Sequence, residues 1–470
     1  MDPKTVSNIC WAFGRQKVWS QNFMAALEAK PQAIAKNARC KEISNICWSY
    51  GKLVMKSPKL FAAVHNRIEE DSTFRGRLKP VEIAVIAWTF SRLGHEAPAL
   101  MQHIKNDIEI ICDSAKQPQE LGMLASAFAT SATETEMYTV FHHILKKQEF
   151  IDRGMRNPSV PGEMTTAMAV TGKADCTVFL SSVDQKMGGW LARSGTSSTI
   201  SQLLVGFAVQ NVVPEALTRH LTREADFFLN RVKNFDVKHV AKITWALASL
   251  GMADERKELV TKYWGHVMQR LYDGTARSAA DQGSGSWAHV PPAVLVQLVQ
   301  TEMFAKEKGV ELSPRVPDEA LDLVENYLRK VQPRNEYLTV AYSNALARMG
   351  FAHETYAYVD EHERMQTFRS DIVNAEKKIC INFCGPSMFL TDVSGDKPPE
   401  ESQFHRGRET GDVVARRRLM RSWGWHVIDV PYFHDKMLGE EGDVKDAKRE
   451  AYMLGRFKHL GLEAELNEAK

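Results

Sequence analysis

The chain has 470 residues, of which 60 are Lys or Arg and 58 are Asp or Glu, so its formal net charge is +2. This balance excludes strongly basic, histone-like proteins, but it is compatible with a local basic surface that binds nucleic acid. No run approaches the ~18 consecutive apolar residues of a membrane-spanning helix, so we expect no membrane association. Seven scattered cysteines without a CxxC pair predict neither a disulfide framework nor a zinc site. We expect no metal and no cofactor.

A motif that contains tryptophan is repeated along the chain. The segment VSNICWAFGR (6–15) returns as ISNICWSYGK (43–52), and more loosely as IAVIAWTFSR (83–92) and VAKITWALAS (240–249). With the tryptophan as anchor, the copies centre on residues 11, 48, 88, 126, 168, 207, 245 and 344, with a poor copy near 297. The first seven anchors are 37 to 42 residues apart. Such a period predicts an array of equivalent structural units.

The pattern within one copy is that of an amphipathic helix. Apolar residues recur at i, i+3, i+4 and i+7, as in Ile43, Ile46, Cys47 and Tyr50. A second helix is predicted to begin at Ser57-Pro58, where serine is a favoured N-cap and proline a favoured first residue. A unit of two helices cannot bury its apolar face alone, so neighbouring units must stack. We therefore predict a mostly α fold, with a solenoid of about nine αα-hairpin units over residues 1–365.

The position four residues after each anchor is polar or small and often basic. If the apolar position two residues after the anchor faces the core, this position faces a groove, where cations and hydrogen-bonding groups suit a single RNA strand. The alternative is that these cations are solvated and merely favoured by the helix dipole. We interpret the tryptophans as packing residues between helices. The predicted RNA-binding cations of the array are Arg15, Lys52, Arg92 and Arg348.

The pattern changes after about residue 365. An alternating apolar run at 379–383 predicts a strand that enters a Gly-Pro turn, and an arginine-rich helix is predicted over 411–422. A second strand ending at Pro431 and a last helix over about 444–460 complete a small α/β module, which we assign to residues 366–470. Its helix offers candidate phosphate-binding cations, although a solvated helix is the alternative. These cations are Arg416, Arg417, Arg418 and Arg421.

The module resembles the RAP domain. The resemblance rests on a strand that ends in Gly-Pro-Ser-x-Phe, the arginine-rich helix, and Val-Ile-Asp-Val-Pro-Tyr at 427–432. The repeats before it look like the octotricopeptide and heptatricopeptide arrays that precede RAP domains in the Fas-activated serine/threonine kinase-like family, here of the alveolate type. The motif residues are Cys384, Gly385, Pro386, Trp425, Pro431 and Tyr432.

The resemblance also implies a degenerate PD-(D/E)xK-like fold, and with it a metal-dependent nuclease as the least favoured hypothesis. Two carboxylates of the family's pattern are replaced here by Asn382 and Cys384, and Met388 stands where the family has histidine. Only Asp429 remains, and one carboxylate makes a poor Mg²⁺ site. We therefore expect no catalytic residues and no enzymatic activity.

The function implied by the resemblance is that of a non-catalytic organellar RNA-binding protein. Its partners would be single-stranded or ribosomal RNA and other ribonucleoprotein or ribosomal proteins, with no small-molecule substrate. The alternative is a structural scaffold subunit of a large organellar ribonucleoprotein such as a mitochondrial ribosome. We expect a mitochondrial location, with the plastid as the alternative. No targeting segment is recognisable, and we expect that it was removed or is missing from this numbering.

Overall fold

The computed structural model describes residues 2–131, 134–147, 157–223, 236–282, 287–330, 336–359, 368–391, 393, 408–439 and 442–466. It is mostly helical, with a small four-stranded sheet near the C-terminus. Within these ranges, no helix is both long and apolar enough to cross a membrane. The predicted domain boundary near residue 365 lies outside the described residues.

The chain forms two compact units. One comprises Met1–Gly206 with Asp392–Pro399, and the other Phe207–Thr391 with Glu400–Lys470. The helices up to residue 209 are α1 (Pro3–Gln16), α2 (Gln21–Glu28), α3 (Pro31–Asn37), α4 (Cys40–Leu53), α5 (Pro58–Glu70), α6 (Ser72–Arg75), α7 (Pro80–Leu93), α8 (Pro98–Asn106), α9 (Ile108–Ser114), α10 (Pro118–Ser131), α11 (Glu134–Lys146), α12 (Ser159–Thr165, continued by a π-helical turn, Thr166–Thr171), α13 (Thr177–Ser194) and α14 (Ser197–Val209).

The remaining elements contain all four strands. They are α15 (Glu215–Arg223), α16 (Val237–Ser249), α17 (Lys257–Gln282), α18 (Pro292–Glu307), α19 (Asp318–Arg329), α20 (Glu336–Arg348), β1 (Glu354–Thr355), β2 (Ile372–Asn374), β3 (Ile379–Cys384), α21 (Gly411–Ser422), β4 (His426–Pro431), α22 (Tyr432–Met437) and α23 (Asp443–His459). The two strands and two helices predicted for the C-terminal module are present as β3, α21, β4 and α23, whereas β1, β2 and α22 were not predicted.

The helices that carry the repeated motif pack on one another in chain order. Helix α1 packs on α4, α4 on α7, and α7 on α10. The second helices form their own contacts, α5 with α8 and α8 with α11. Each of these helices buries apolar residues against its neighbours, which stabilises their packing.

The prediction of two helices per unit was incomplete. After each of the first three copies of the repeated motif, a third, short helix follows the two predicted helices. These short helices are α3, α6 and α9. Local capping explains why they form, because Pro31 begins α3 and the Asp71 carboxylate accepts the backbone N–H of Phe74 at 2.8 Å at the start of α6. Each short helix buries apolar residues, such as Ile34, Phe74 and Ile111.

The C-terminal sheet has the strand order β1-β2-β3-β4. Strands β1, β2 and β3 are antiparallel neighbours, and β3 and β4 are parallel, with Cys384 opposite Pro431 at their C-terminal ends. Helix α21 forms the connection between β3 and β4, as parallel strands require. All six residues of β3 are buried, and the apolar core joins this sheet to α20 and α23.

Candidate nucleic-acid interface

Arg15, Lys52 and Arg92 lie in the last turns of α1, α4 and α7. The three helices end in the same way. A residue in left-handed conformation follows each helix, and the next backbone N–H donates to the carbonyl five residues earlier, in the manner of a Schellman motif. The three cations therefore occupy equivalent places on helices that pack side by side. All three are exposed.

These three cations contact aromatic rings. The Arg15 guanidinium lies 5.6 Å from the Trp11 ring centre, and the Lys52 ammonium lies 5.5 Å from that of Trp88. Arg92 lies 5.3 Å from the same Trp88 ring, and its Nε donates to the carbonyl of Gly51 at 2.9 Å. The rings and carbonyl restrain these side chains without neutralising them.

The positive charges of this row of side chains are largely uncompensated by carboxylates. Among the described residues, Arg15, Lys52 and Arg92 form no ion pair. Lys52 and Arg92 act electrostatically on the carboxyl of Glu163. Burial raises the pKa of that carboxyl, and the two cations oppose the rise. Because none of the three cations is locked to a carboxylate, their charge is available to an anion. We call them the N-terminal cation row.

Two tryptophans of the motif, Trp48 and Trp88, pack against the motif helix that precedes them in the chain. Trp88 is only 8% exposed, and its ring lies against Gly51 of α4. Trp48 is half-buried and lies against Gly14 of α1 in the same way. Trp11, in the first helix, is 45% exposed. The packing interpretation is therefore confirmed for Trp48 and Trp88.

The fourth predicted cation of the array is differently placed. Arg348, in the last turn of α20, donates from Nε to Glu450, and its Nη2 lies 3.2 Å from Asp446. Both carboxylates belong to α23, so Arg348 joins α20 to the last helix of the C-terminal module. Its charge is already compensated within the protein.

The four arginines of α21 divide into two pairs. Arg417 binds Glu409 and Asp429, and Arg418 binds Glu307 at 2.8 Å together with the carbonyl of Ser249 at 3.0 Å. Arg416 is half-buried and Arg421 is exposed. Within the described ranges, neither of the latter two forms an ion pair. Only Arg416 and Arg421 of this helix are therefore available to a phosphate.

The predicted motif residues of the module occupy the end of the parallel strand pair. Cys384 is the buried last residue of β3, and Gly385-Pro386 leads into a 3₁₀ turn. Burial raises the pKa of the Cys384 thiol, which disfavours the thiolate that metal binding would need. Trp425 is buried just before β4, Pro431 ends β4, and Tyr432 is buried at the start of α22.

A chain of polar side chains runs through the sheet beside this motif. The Ser370 hydroxyl donates to Asn382 Oδ1 at 2.6 Å, and Asn382 Nδ2 donates to Asp429 Oδ1 at 3.0 Å. The other oxygen of Asp429 accepts from Arg417, which also binds Glu409. Both carboxylates of this polar network, Asp429 and Glu409, thus have a hydrogen-bond partner. Among the described residues, no group of three His, Cys, Asp or Glu side chains could hold a metal ion.

Sequence reasoning missed two acidic residues of this region, Glu409 and Asp371. Asp371 lies just before β2 and accepts the backbone N–H of Phe383 at 2.7 Å. Burial raises the pKa of its carboxyl, although the hydrogen bond and nearby arginines oppose the rise. The signal that could have found it is an acidic residue beside a short apolar run, Ile372-Val373, which was not recognised as a strand.

Comparison with known protein families finds no family model that matches this chain. Comparison with curated proteins finds no significant match either.

Proposed function

We propose that this chain is a non-catalytic RNA-binding protein whose N-terminal cation row, Arg15, Lys52 and Arg92, binds the phosphates of a single strand. The observation that carries the proposal is the contrast between these exposed cations and Arg348, Arg417 and Arg418, which carboxylates of the same protein already compensate. Release of counterions on phosphate neutralisation supplies the affinity, so the charge must be accessible.

The geometry suits an extended strand rather than a compact anion. One cation comes from the same place on each of three consecutive helices, and packed helices lie about 8–10 Å apart. The cations therefore recur at the interval of a helix diameter along one edge of the row. A single-stranded backbone, with one phosphate per nucleotide, can follow such an edge, and aromatic or hydrogen-bonding groups beside it can contact bases.

The proposed architecture is a stack of αα-hairpin units followed by a RAP-like module with a degenerate PD-(D/E)xK-like fold. The recurring helix end supports the first part. A left-handed residue followed by the same backbone hydrogen bond ends α1, α4 and α7, and it recurs after α16 and α20. The resemblance to the RAP family supports the second part. A mitochondrial location, with the plastid as alternative, is part of the same proposal, and fluorescence imaging of the tagged full-length protein tests it.

The contacts of Asp429 favour binding over catalysis. A carboxylate that holds Mg²⁺ must present a free oxygen to the ion. Here one oxygen of Asp429 accepts from Asn382 and the other from Arg417, so a metal would have to displace a guanidinium. Mg²⁺-dependent cleavage of RNA by the purified chain, lost on Asp429→Asn, would contradict the non-catalytic assignment.

The proposal is tested by the salt dependence of RNA binding. Fluorescence anisotropy measures the affinity of the full chain for a labelled single-stranded RNA of mixed sequence at several KCl concentrations. The matched variants remove three charges each, either from the cation row (Arg15→Gln, Lys52→Gln, Arg92→Gln) or from exposed lysines of α3, α5 and the α2–α3 turn (Lys36→Gln, Lys59→Gln, Lys30→Gln).

We expect the cation-row variant to bind more weakly. Its slope of log K against log salt should be shallower by about 0.7 for each lost contact with a single strand. The lysine variant should keep the wild-type slope. Equal slopes for the cation-row variant and the wild type would remove the row from the RNA interface. A scaffold function without free RNA binding would instead give stoichiometric co-sedimentation with a large particle and no affinity for the free strand.

A further inference from the structure

Helix α12 continues the row of motif helices and keeps one face uncovered between its two neighbours. Helix α7 packs on α10, and α10 packs on α12, where Val160 and Met164 lie close to Gly122. On the other side, Gly162 of α12 lies close to α14. Three half-buried residues, spaced four and three apart, share the face between these contacts. This α12 face consists of Ser159, Glu163 and Thr166.

Glu163 is the charged residue of the α12 face, and its carboxyl has no partner. Within the described ranges, no cation lies at ion-pair distance from it and no group donates a hydrogen bond to it. Burial raises the pKa of this carboxyl, against the effect of Lys52 and Arg92. A carboxylate removed from water without hydrogen bonds costs free energy, and proteins concentrate such groups at functional sites.

The helix is irregular at the same place. A π-helical turn begins at Thr166, three residues after Glu163. No other helix in the part of the chain that the structure describes contains one. Single π-helical turns inside α-helices are frequent at functional sites. The irregular backbone and the unpartnered carboxyl therefore point to the same face.

The carboxyl of Glu163 borders the same surface as the N-terminal cation row. Lys52 and Arg92 belong to α4 and α7, and α10 lies between α7 and α12 in the row of packed helices. Both cations nevertheless act electrostatically on Glu163. Because such interactions fade with distance, side chains separated by a whole helix must reach over the same side of the row. One surface thus combines free cations with one free carboxylate.

We propose that Glu163 selects a base of the RNA strand that the cation row holds, and that this base is guanine. The inference rests on the proposed function and adds a sequence preference to it. A carboxylate has two acceptor oxygens, and the Watson–Crick edge of guanine presents two adjacent donors, N1–H and the N2 amino group. Adenine and cytosine present one donor beside an acceptor. Uracil presents one donor between two acceptors, which a carboxylate repels.

The neighbouring cations favour a base over a basic side chain of a partner protein. Lys52 and Arg92 would repel a lysine or arginine that approached Glu163, whereas they attract the phosphates beside a bound base. Guanine is neutral, so it can donate to the carboxylate without this repulsion. The half-buried position of Glu163 also excludes part of the water that would compete for its oxygens, which strengthens both hydrogen bonds.

The preference is tested by fluorescence anisotropy of the full chain at one KCl concentration. Each labelled probe is a uridine strand in which every third nucleotide is guanosine, inosine, adenosine or cytidine, so that the test base can reach Glu163 in any register. Inosine keeps N1–H but lacks the N2 amino group. We expect the guanosine strand to bind about tenfold more tightly than the other three, the effect of one bidentate contact.

The matched variants are Glu163→Gln and Glu70→Gln, which remove one negative charge each. The glutamine amide offers one acceptor and one donor, which suit adenine, so the preference for guanosine over adenosine should be lost or reversed in Glu163→Gln. Glu70 is exposed on α5, and Glu70→Gln should keep the wild-type ratio of affinities. If the carboxylate only weakened the positive potential, Glu163→Gln would strengthen the binding of every strand equally. An unchanged ratio would therefore overturn the inference.

Urea unfolding at about pH 7 gives a second readout of the same variants. Removal of a charge that burial disfavours should raise the unfolding midpoint of Glu163→Gln, whereas Glu70→Gln should match the wild type. A lower midpoint for Glu163→Gln would mean that the carboxylate stabilises the fold, and would overturn its role in base selection.

The outcomes separate this inference from the proposed function. Equal affinities for all four strands, with a salt slope that still depends on the cation row, would overturn the guanine contact alone. A basic side chain of a partner protein at Glu163 would give that same result. Failure of every strand to bind would contradict the proposed function, and the inference with it.

Discussion

The indole of Trp88 lies directly against the α-carbon of Gly51 in the preceding motif helix, so a Cβ on Gly51 would lie 2.6 Å from Cζ3 of the ring. The same relationship joins Trp48 to Gly14, where the corresponding separation is 2.9 Å. Both separations are shorter than carbon atoms tolerate. The tryptophan of one unit and the glycine three residues after the anchor of the previous unit therefore form a matched pair, which explains why both recur in the motif.

We predict that Gly51→Ala destabilises the protein despite the higher helix propensity of alanine. Alanine gains about 0.5–1 kcal/mol in a helix interior. Here the added methyl must displace a packed ring, and overpacking typically costs about 1–3 kcal/mol. Gly265→Ala is the control, because a Cβ at that position of α17 meets nothing within 4 Å. Denaturant unfolding should show a loss for the first variant and a small gain for the second. Two gains would contradict the close contact.

The contribution of a motif tryptophan to stability should depend on how deeply its side chain is buried. Trp88→Ala leaves a cavity between α4 and α7, and its expected cost is about 3–5 kcal/mol. Trp11 is 45% exposed and stacks on Trp48 with 6.5 Å between the ring centres, so Trp11→Ala should cost about 1 kcal/mol or less. The free energies of unfolding of the two variants measure the difference. Equal costs would mean that Trp11 is as well packed as Trp88.

The position of the repeated motif could be predicted for some copies and less well for others. Anchors 11, 48, 88, 245 and 344 agree with the helix ends, since the left-handed residue follows each by six at Lys17, Val54, Gly94, Gly251 and Gly350. The same rule moves three weaker anchors: from 168 to 167 because of Lys173, from 207 to 205 because of Asn211, and from near 297 to 303 because of Gly309. An apolar pattern of period 3.6 fits a helix at several offsets, and only the helix end removes the ambiguity.

The roles of the predicted cations could not be read from the sequence alone. Spacing placed Arg15, Lys52 and Arg92 on equivalent helix ends. It could not reveal that Arg418 meets Glu307, which is 111 residues away along the chain. Ion pairs between distant segments depend on tertiary packing and have no local signature. All four arginines of α21 were candidates for phosphate binding from the sequence. Two of them, Arg417 and Arg418, form ion pairs within the protein instead.

Arg418 should contribute to the free energy of unfolding, whereas Arg421 should not. Arg418 donates to both oxygens of Glu307, at 2.8 and 2.9 Å, and the Glu307 side chain is only 5% exposed. Arg418→Ala leaves that buried carboxylate without its main partner, at an expected cost of about 3–5 kcal/mol. Arg421→Ala, at an exposed position, should change stability by about 0.5 kcal/mol or less. Thermal unfolding distinguishes them, and a stable Arg418→Ala variant would show that the pair contributes little.

Two aspartates of the C-terminal module should respond to pH with opposite sign. For Asp435, burial opposes ionisation, but hydrogen bonds from Arg449 and Lys445 outweigh it and hold the pKa below its usual 3.8. A lowered folded-state pKa contributes stability above the unfolded value, which is lost as pH falls through the folded value. Asp435→Asn should therefore cost about 3–5 kcal/mol at pH 7, since it leaves Arg449, only 1% exposed, without its bidentate partner.

For Asp371, burial raises the pKa above 3.8, so the sign is reversed. Its favourable contribution is present below pH 3.8 and is lost as pH rises through the folded-state pKa. Asn at this position can still accept the Phe383 N–H. Asp371→Asn should thus match the wild type near pH 3 and be more stable than it at pH 7. Urea unfolding of both variants between about pH 3 and pH 7 measures the two trends. A loss of stability for Asp371→Asn at pH 7 would mean that its carboxylate is ionised and bound in the folded protein.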